Sequence, residues 1–235
     1  MITLRRTGER HHDRRRKHEV WLTFDAKAEN DPLADGFGAL QILDEDRLSP
    51  GADLSRRPDG DAEIVIYVCG GALAYDDSTG RAGVIQAGEF RRTTAGRGRR
   101  QHEANASRSD WAHVFQIWLR ATKATVDRGH EQKRFSAAER RGELCVVASP
   151  DARRGSLRLD QDAVLYSAML EPGRHVVHEL AQKRSAWLHI VQGEATLGDI
   201  VLSTGDGVGV TAERAVSLTA RVRTEILLLD LGERA

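Results

Sequence analysis

Short apolar runs recur about every ten residues between turn-forming residues, and this spacing restricts the fold of the chain more than any other feature. The runs are rich in Val and Ile and often alternate with polar residues. Turn signals such as Ser49-Pro50-Gly51 and Ala87-Gly88-Glu89 separate them. Evenly spaced, alternating short runs are typical of a β-sandwich or barrel. Helical periodicity is confined to residues 136–140, where we predict one short helix. The sequence therefore predicts an all-β fold.

The strand pattern predicts two domains. A polar stretch over residues 120–129 interrupts the strands, which then resume along the rest of the sequence. We therefore expect two tandem β-domains, residues 1–130 and residues 131–235, with the connection between them at residues 121–140.

The two halves also resemble each other. Residues 64–70 match residues 187–193 at an offset of 123, and Gly88-Glu89 matches Gly205-Asp206 at an offset of 117. A repeat of about 120 residues indicates two β-domains built on one plan.

Composition narrows the class of function. Lys+Arg and Asp+Glu are equal at 35 each, so the formal net charge is zero, whereas a protein that grips nucleic acid normally carries a basic surplus. The two cysteines, Cys69 and Cys145, form no C-x-x-C pair, which indicates a reducing compartment. No apolar run approaches the length of a membrane span, and Met1-Ile2-Thr3-Leu4 is not a signal-peptide core. We expect a cytoplasmic monomer with no membrane partner and no direct contact with nucleic acid.

The most basic segment is the N-terminal run His11-His12-Asp13-Arg14-Arg15-Arg16-Lys17-His18. Such a run could bind nucleic acid or a metal ion. It lacks interleaved aromatic residues, however, and acidic residues elsewhere balance its charge. We therefore interpret it as a solvated N-terminal loop.

A series of short motifs follows in order along nearly the whole chain. They are Trp21-Leu22-Thr23-Phe24, Asn30-Asp31-Pro32, Gly36-Phe37-Gly38-Ala39-Leu40, Asp44-Glu45-Asp46, the set Pro58, Asp61, Glu63 and Tyr67, Ala95-Gly96-Arg97-Gly98, Gln116-Ile117-Trp118, Glu131-Gln132-Lys133-Arg134-Phe135, Ser149-Pro150-Asp151 and Gly155-Ser156. Together they resemble the pirin family of the cupin superfamily. The resemblance implies two tandem cupin-like β-barrel (jelly-roll) domains, a bicupin. For bacterial members it implies a quercetinase-like dioxygenase.

The resemblance also implies where a metal would bind. Pirins hold one iron-like transition metal in the N-terminal barrel through three histidines and a glutamate. Arg57 and Asp59 stand at two of the histidine positions and Gln101 at the third, so only Glu103 matches. A neutral imidazole donates a lone pair to a metal, whereas arginine stays protonated and has no acceptor. We interpret the chain as a divergent member with a degenerate metal site that lacks the usual histidines.

We predict that Arg57, Asp59, Gln101 and Glu103 converge on one binding pocket that holds no metal and no catalytic residue. An ion pair of Arg57 with Glu103 or Asp59 would replace the metal, and such a buried pair needs good geometry. The alternative is a rearranged site for Fe, Ni, Mn or Cu, formed by Asp59, His102 and Glu103. That site requires a β-bulge, because adjacent residues on a strand face opposite sides.

The remaining candidates are interpreted as structural. The offset of 123 places no strong metal ligand in the second barrel, because the matching positions are Leu180, Gln182 and Ala186. His175 and His178 are expected in a surface loop. His113 is expected to be a hydrogen-bonded core residue, and His189 is a further candidate of the second half.

Three functions follow from these interpretations. The preferred one is binding of a small molecule or a protein partner in the pocket of the N-terminal barrel, without a metal and without dioxygenase activity. The alternative is a metal-dependent oxidoreductase of the quercetin 2,3-dioxygenase type, with Glu103 as a ligand or base. The third is a regulatory interaction protein, because nuclear members of the family are implied to be transcriptional co-regulators.

Overall fold

The computed structural model describes residues 1–54, 61–78, 80–95, 101–122 and 129–233, and the side chains of Ala95 and Gln101 lie outside this description. Within these ranges the chain forms 21 strands and two single-turn 3-10 helices, Thr7–Glu9 and Arg153–Gly155. The predicted all-β class is therefore confirmed. No helix in these ranges has the length and apolar character needed to cross a bilayer.

The chain separates into two compact units. The unit called here the first barrel comprises His11–Gly36 and Leu40–Arg134. The second barrel comprises Met1–Arg10, Phe37–Ala39 and the chain from Phe135 onward. The domain division at residue 130 stays a prediction.

Strand β1 (Ile2–Arg5) belongs to the second barrel, and the next ten strands form the first. They are β2 (His11–Arg15), β3 (His18–Leu22), β4 (Leu40–Leu48), β5 (Ala62–Gly70), β6 (Ala72–Asp77), β7 (Ala82–Gln86), β8 (Glu89–Ala95), β9 (Gln101–Asn105), β10 (Ala112–Arg120) and β11 (His130–Arg134). In the described residues they make one large sheet, in the order β11-β8-β5-β10-β4-β3-β2, and one small sheet, β7-β6-β9.

The second barrel is built in the same way. Its remaining strands are β12 (Cys145–Ser149), β13 (Leu157–Arg158), β14 (Ala163–Leu170), β15 (His175–Glu179), β16 (Ser185–Gln192), β17 (Glu194–Leu197), β18 (Ile200–Ser203), β19 (Gly207–Val210), β20 (Ala215–Ala220) and β21 (Thr224–Leu231). The large sheet runs β1-β19-β16-β21-β14-β12-β13 and the small one β15-β20-β17-β18.

A shared β-bulge demonstrates the repeat. In the first barrel, β5 pairs with β10, and the register shifts between Val68 and Gly70. In the second barrel, β16 pairs with β21, and the register shifts in the same way between Ile190 and Gln192. Because a bulge adds one residue to one strand only, its recurrence at equivalent places marks two copies of one plan.

Glycines fix the alignment of the two copies. Gly71 (φ 72°) and Gly193 (φ 101°) each follow the bulged strand, and a Cβ there would lie 2.6 Å and 2.4 Å from a backbone oxygen of the neighbouring strand. Gly71 therefore matches Gly193, an offset of 122, and the predicted offset of 123 is wrong by one residue. The predicted offset of 117 is confirmed, because Gly88 and Gly205 share a φ of 85° and bind equivalent strand carbonyls.

Two local expectations are wrong. Residues 136–140 form a turn: the Glu139 carboxylate accepts hydrogen bonds from the backbone N–H and the hydroxyl of Ser136, and Gly142 (φ 74°) ends the segment. The basic run at residues 11–18 is not a loop. It forms β2 and the start of β3, and β2 is an edge strand whose charged side chains are mostly exposed, as is typical of sheet edges.

The predicted connection at residues 121–140 also contains a strand. Residues His130–Arg134 form β11, which pairs with β8 and so closes the edge of the large sheet in the first barrel. Its sequence, His-Glu-Gln-Lys-Arg, is charged and does not alternate, so it gives no strand signal. The strand is held by its backbone pairing with β8 and not by a buried apolar face.

Candidate functional site

The predicted pocket residues can be placed only in part. Arg57 and Asp59 lie outside the described residues, and Gln101 begins β9 with its side chain undescribed. Glu103, two residues further along β9, pairs with Tyr75 of β6 and shares its face. Tyr75 belongs to the core of the first barrel. The convergence of all four residues stays a prediction, and Glu103 is the one of them whose side-chain contacts the structure describes.

The partner of Glu103 is an arginine of strand β8. Arg91 Nη1 donates to Glu103 Oε1 at 3.3 Å. Arg91 pairs across the sheet with Ile66, a core residue of β5, so its side chain turns into the barrel. Only 1% of Arg91 is exposed. Among the described residues, Arg91 thus holds the internal ion pair that the sequence had assigned to Arg57.

Tyr75 and His130 complete this group. The Arg91 guanidinium carbon lies 3.8 Å from the centroid of the Tyr75 ring, a cation–π contact in a buried setting. The His130 ring meets the Tyr75 ring edge-on, with centroids 5.9 Å apart. The four side chains of Arg91, Glu103, Tyr75 and His130 are called the arginine cluster below.

The charges of the arginine cluster are incompletely compensated. Burial raises the pKa of the Glu103 carboxyl above its usual value, although the Arg91 guanidinium acts against this. Burial likewise lowers the pKa of Arg91, against the attraction of Glu103. Burial, with the nearby Arg91 charge, lowers the pKa of His130. All three directions mean that the interior disfavours charge, as expected for an ion pair removed from water.

A second polar group lies on β4 and its neighbours. The Asp46 carboxylate shares one oxygen with His18 Nε2 at 2.7 Å and accepts from Gln116 Nε2 at 2.8 Å with the other. All three side chains are buried. The charge of Asp46 also helps to raise the pKa of Glu103, so the two polar groups share one interior.

A cavity of about 560 Å³ opens beside Asp46. Strands β2, β3 and β4 and the loop after β3 line it, with His11, Asp13, Arg15, His18, Val20, Leu22, Asp25, Ala26, Lys27, Asp44 and Asp46. Its volume lies in the range of small-molecule pockets, and it combines a few apolar side chains with converging polar groups. The first barrel therefore offers both space and polar contacts.

His102 does not join Glu103. Its ring is about half exposed and bridges Asp76 (Nδ1, 3.1 Å) and Asp53 (Nε2, 3.0 Å), whereas Glu103 points inward. Adjacent strand residues face opposite sides, and no bulge interrupts the pairing of β6 with β9. The rearranged metal site of Asp59, His102 and Glu103 therefore loses His102 as a ligand. Asp59 lies outside the described residues.

Other predicted histidines have structural partners. His113 Nε2 lies 2.8 Å from Glu45, in agreement with a hydrogen-bonded residue, although it is only partly buried. His175 and His178 are on strand β15 and not in a loop, and His178 bonds Asp230 at 2.8 Å. His189 is fully buried on β16.

In the described part of the second barrel, the positions equivalent to the ion pair of Arg91 and Glu103 are apolar, and the buried Asp230 bonds His178 and Arg184 elsewhere. With the offset of 122, Glu179 and Ala181 stand at the positions equivalent to Arg57 and Asp59, which corrects the expectation of Leu180, Gln182 and Ala186. The cross-strand registers make Val208 the equivalent of Arg91 and Leu218 the equivalent of Glu103. Both are buried in an apolar cluster.

Sequence reasoning missed Arg91, although a signal was present. Residues 90–94, Phe-Arg-Arg-Thr-Thr, form a short run between turn residues, and strand alternation places Arg91 and Thr93 on one face. The inward direction of this face follows from the pairing of Arg91 with Ile66. The sequence alone does not show that pairing.

The loss of the family's histidine ligands stays a prediction from the resemblance, because Arg57 and Asp59 lie outside the described residues. The carboxylate of Glu103, the one family ligand that the resemblance retains, pairs with a guanidinium. In the described ranges, no three His, Cys, Asp or Glu side chains gather closely enough to hold a metal ion.

The repeat, the paired sheets and the polar interior of the first barrel define a bicupin. The family model for Pirin matches residues 4–119, and the model for the quercetinase C-terminal cupin domain matches residues 146–231. Quercetin 2,3-dioxygenase of Escherichia coli (strain K12) is 36% identical over 231 residues, covering 98% of this chain and 99% of that protein. The chain belongs to the pirin family.

Solved structures agree with this assignment. YhhW from Escherichia coli superimposes with a TM-score of 0.91 at 36% identity, covering 99% of this chain and 98% of that one. A structure of bacterial pirin YhhW in complex with nickel(II) gives a TM-score of 0.89 at 36% identity, covering 99% of this chain and 100% of the other.

Proposed function

We propose that this pirin-family bicupin binds a small molecule in its first barrel, without the family's transition metal and without dioxygenase activity. The observation that carries the proposal is the buried guanidinium of Arg91 against Glu103, the one family ligand that the sequence retains. The cavity beside Asp46 supplies the space. The cytoplasmic location and the monomeric state remain predictions.

The physical argument concerns charge. A divalent cation at Glu103 would lie beside a permanent positive charge, because arginine does not lose its proton under physiological conditions. Repulsion between like charges is strong where water is excluded. The imidazole lone pairs that would offset it are replaced by Arg57, Asp59 and Gln101 in the sequence.

The alternative function is a metal-dependent quercetin 2,3-dioxygenase. It is favoured by the names of the relatives and by the nickel complex of bacterial YhhW. In such an enzyme the metal would orient substrate and O₂, and here Glu103 would have to exchange Arg91 for that metal.

The test compares metal content and oxygen consumption. Native protein is assayed for metal by elemental analysis, and then for O₂ uptake with quercetin after addition of Fe, Ni, Mn, Cu or Co. The quercetin 2,3-dioxygenase of Escherichia coli is the positive control under the same conditions. We expect substoichiometric metal and no uptake above background. One metal per chain, or uptake comparable with the control, would overturn the proposal in favour of the alternative.

A further inference from the structure

Arg91 uses only part of its hydrogen-bonding capacity. Nη1 reaches Glu103, but Nε is buried and has no hydrogen-bond partner. Nη2 donates no hydrogen bond of good geometry to a described residue, although the Tyr75 hydroxyl lies close enough to favour the charged guanidinium. In a planar guanidinium, Nε–H and one N–H of Nη2 are parallel along one edge, the geometry that matches a carboxylate. Among the described residues, the edge of Arg91 away from Glu103 is therefore a bidentate donor without a bidentate acceptor.

Arg92, the next residue of β8, is also buried but uses its Nη2 group differently. Arg92 is also fully buried, and its Nε also lacks an acceptor. Its Nη2, however, donates to Glu131 at 2.8 Å, and Nη1 contacts Thr94 and the Gly129 carbonyl. The Nη2 half of the equivalent edge of Arg92 is thus occupied, and its side chain lies on the opposite face of the strand.

Aromatic and polar groups lie next to the unused edge. Tyr75 covers one face of the Arg91 guanidinium at 3.8 Å, and His130 stands edge-on to Tyr75. His130 Nδ1 is also buried without a hydrogen-bond partner. Burial lowers the pKa of His130, so the ring adds no positive charge at neutral pH and can donate or accept depending on its tautomer. An aromatic face and unpaired polar atoms therefore lie side by side at this edge, a combination that suits a flat molecule with oxygen atoms at its rim.

We propose that the Nε/Nη2 edge of Arg91 binds the carboxylate of a small aromatic acid inside the first barrel. The acid's ring would lie along the aromatic side chains of the arginine cluster, and a second oxygen on the ring would meet His130. This proposal rests on the proposed function, that the barrel binds a small molecule without a metal, and it names the class of that molecule.

The experiment uses the metal-free full-length protein and isothermal titration with benzoate, with benzamide as the neutral probe of the same shape. We expect benzoate to bind at least about tenfold more tightly than benzamide, because a charge-assisted fork is stronger than a neutral hydrogen bond. We expect Arg91→Lys, which keeps the charge but loses the fork, to weaken benzoate binding at least about tenfold.

Arg92→Lys is the matched control, because it makes the same change at a buried arginine of the same strand that faces away. It should leave benzoate affinity within about twofold of wild type, within the range of changes expected for a residue outside the site. A second variant serves if Arg91→Lys fails to fold by circular dichroism. Glu103→Gln removes the carboxylate that competes for Arg91, so benzoate should bind more tightly than to wild type.

The outcomes separate the two proposals. One bound metal per chain removes the proposed function and this inference together. Equal binding of benzoate and benzamide, unchanged binding in Arg91→Lys, no gain in Glu103→Gln, or no binding of benzoate overturns this inference alone. A ¹⁵N–¹H signal from the Arg91 Nε–H, assigned by its loss in Arg91→Lys, should shift with benzoate and not with benzamide.

Discussion

The two barrels share one plan and differ in what fills them. Equivalent inward positions hold Arg91 and Glu103 in the first barrel, and Val208 and Leu218 in the second. The difference extends to β4 and β14, where Ala168 is the equivalent of Asp46. All three residues of the second barrel are at most 1% exposed.

The comparison separates a polar interior from an apolar one. A buried aliphatic side chain contributes about 1.5–3 kcal/mol through burial alone. A buried ion pair gives weak net stability, because the loss of hydration offsets the attraction. The second barrel therefore resembles a hydrophobic core, whereas the first retains polar groups that stabilise it less and can bind a ligand.

The strongest test places the charge of one barrel in the other. Leu218→Glu puts a carboxylate at the position equivalent to Glu103, where the residue equivalent to Arg91 is the apolar Val208. We expect a loss of about 3–5 kcal/mol in the free energy of unfolding, measured with urea. The double variant Val208→Arg with Leu218→Glu should recover part of that loss, because it recreates the pair. A cost below about 1 kcal/mol for Leu218→Glu would show that the registers are not equivalent.

The next test removes the cation from the first barrel. Arg91→Gln leaves the Glu103 carboxylate buried and without its arginine, so we expect a loss of about 2–4 kcal/mol in unfolding free energy at pH 7. The loss should shrink as pH falls, since burial already raises the pKa of Glu103 and a protonated carboxyl needs no cation.

The control for this test is the apolar pair Arg91→Met with Glu103→Leu, which copies the chemistry of the second barrel. It should be as stable as wild type or more so. Greater instability of this double variant than of Arg91→Gln would contradict the view that the ion pair is kept for binding.

A smaller effect on the unfolding free energy is expected at Asp230, whose carboxylate pairs with His178 in the second barrel. Burial opposes ionisation of Asp230, yet hydrogen bonds from His178 and Arg184 hold its pKa below the usual value. Because the folded-state pKa is the lower one, ionised Asp230 stabilises the fold above about pH 4, and this contribution is lost as pH falls through the folded-state pKa.

Asp230→Asn should therefore lower the unfolding free energy by about 1–2 kcal/mol at pH 7. The difference from wild type should shrink below about pH 4, as followed by thermal unfolding at several pH values. A difference that stays constant down to pH 3 would show that the charge of Asp230 is not its source.

The smallest effect is expected at His102. Hydrogen bonds that the ring donates to the carboxylates of Asp76 and Asp53 raise the pKa of this exposed histidine. Protonated His102 then stabilises the fold below about pH 6.5, and the contribution is lost as pH rises through the raised pKa. Because solvent screens exposed pairs, His102→Ala should cost at most about 0.5 kcal/mol at pH 5.5 and less at pH 8. A larger cost at pH 8 would contradict this.

Much of this comparison was predictable from the sequence. The apolar runs and turns predicted an all-β chain with an internal repeat, and the structure confirms both. The offset failed by one residue because the β-bulge is invisible in the pattern of residues. On strands a shift of one residue reverses the inward and outward faces, so Leu180 and Gln182 were assigned in place of Glu179 and Ala181.

The site was harder to predict because its key contact joins distant strands. Glu103 was identified through the resemblance to pirins, but its partner depends on the register of β5 with β8, which no local pattern contains. The outward direction of His102, in contrast, followed from strand alternation alone. The hairpin at residues 11–22 was missed because an edge strand needs no apolar alternation.

The guanidinium of Arg91 gives the interior of the first barrel a positive charge that does not depend on the supply of a metal ion. A metal ion must be acquired, can be removed by a chelator and can be exchanged for a competitor. The charge beside Glu103 is instead part of the polypeptide and is present as soon as the chain folds. On the proposed metal-free function, the first barrel should therefore keep its stability in excess EDTA and be independent of the cell's metal supply.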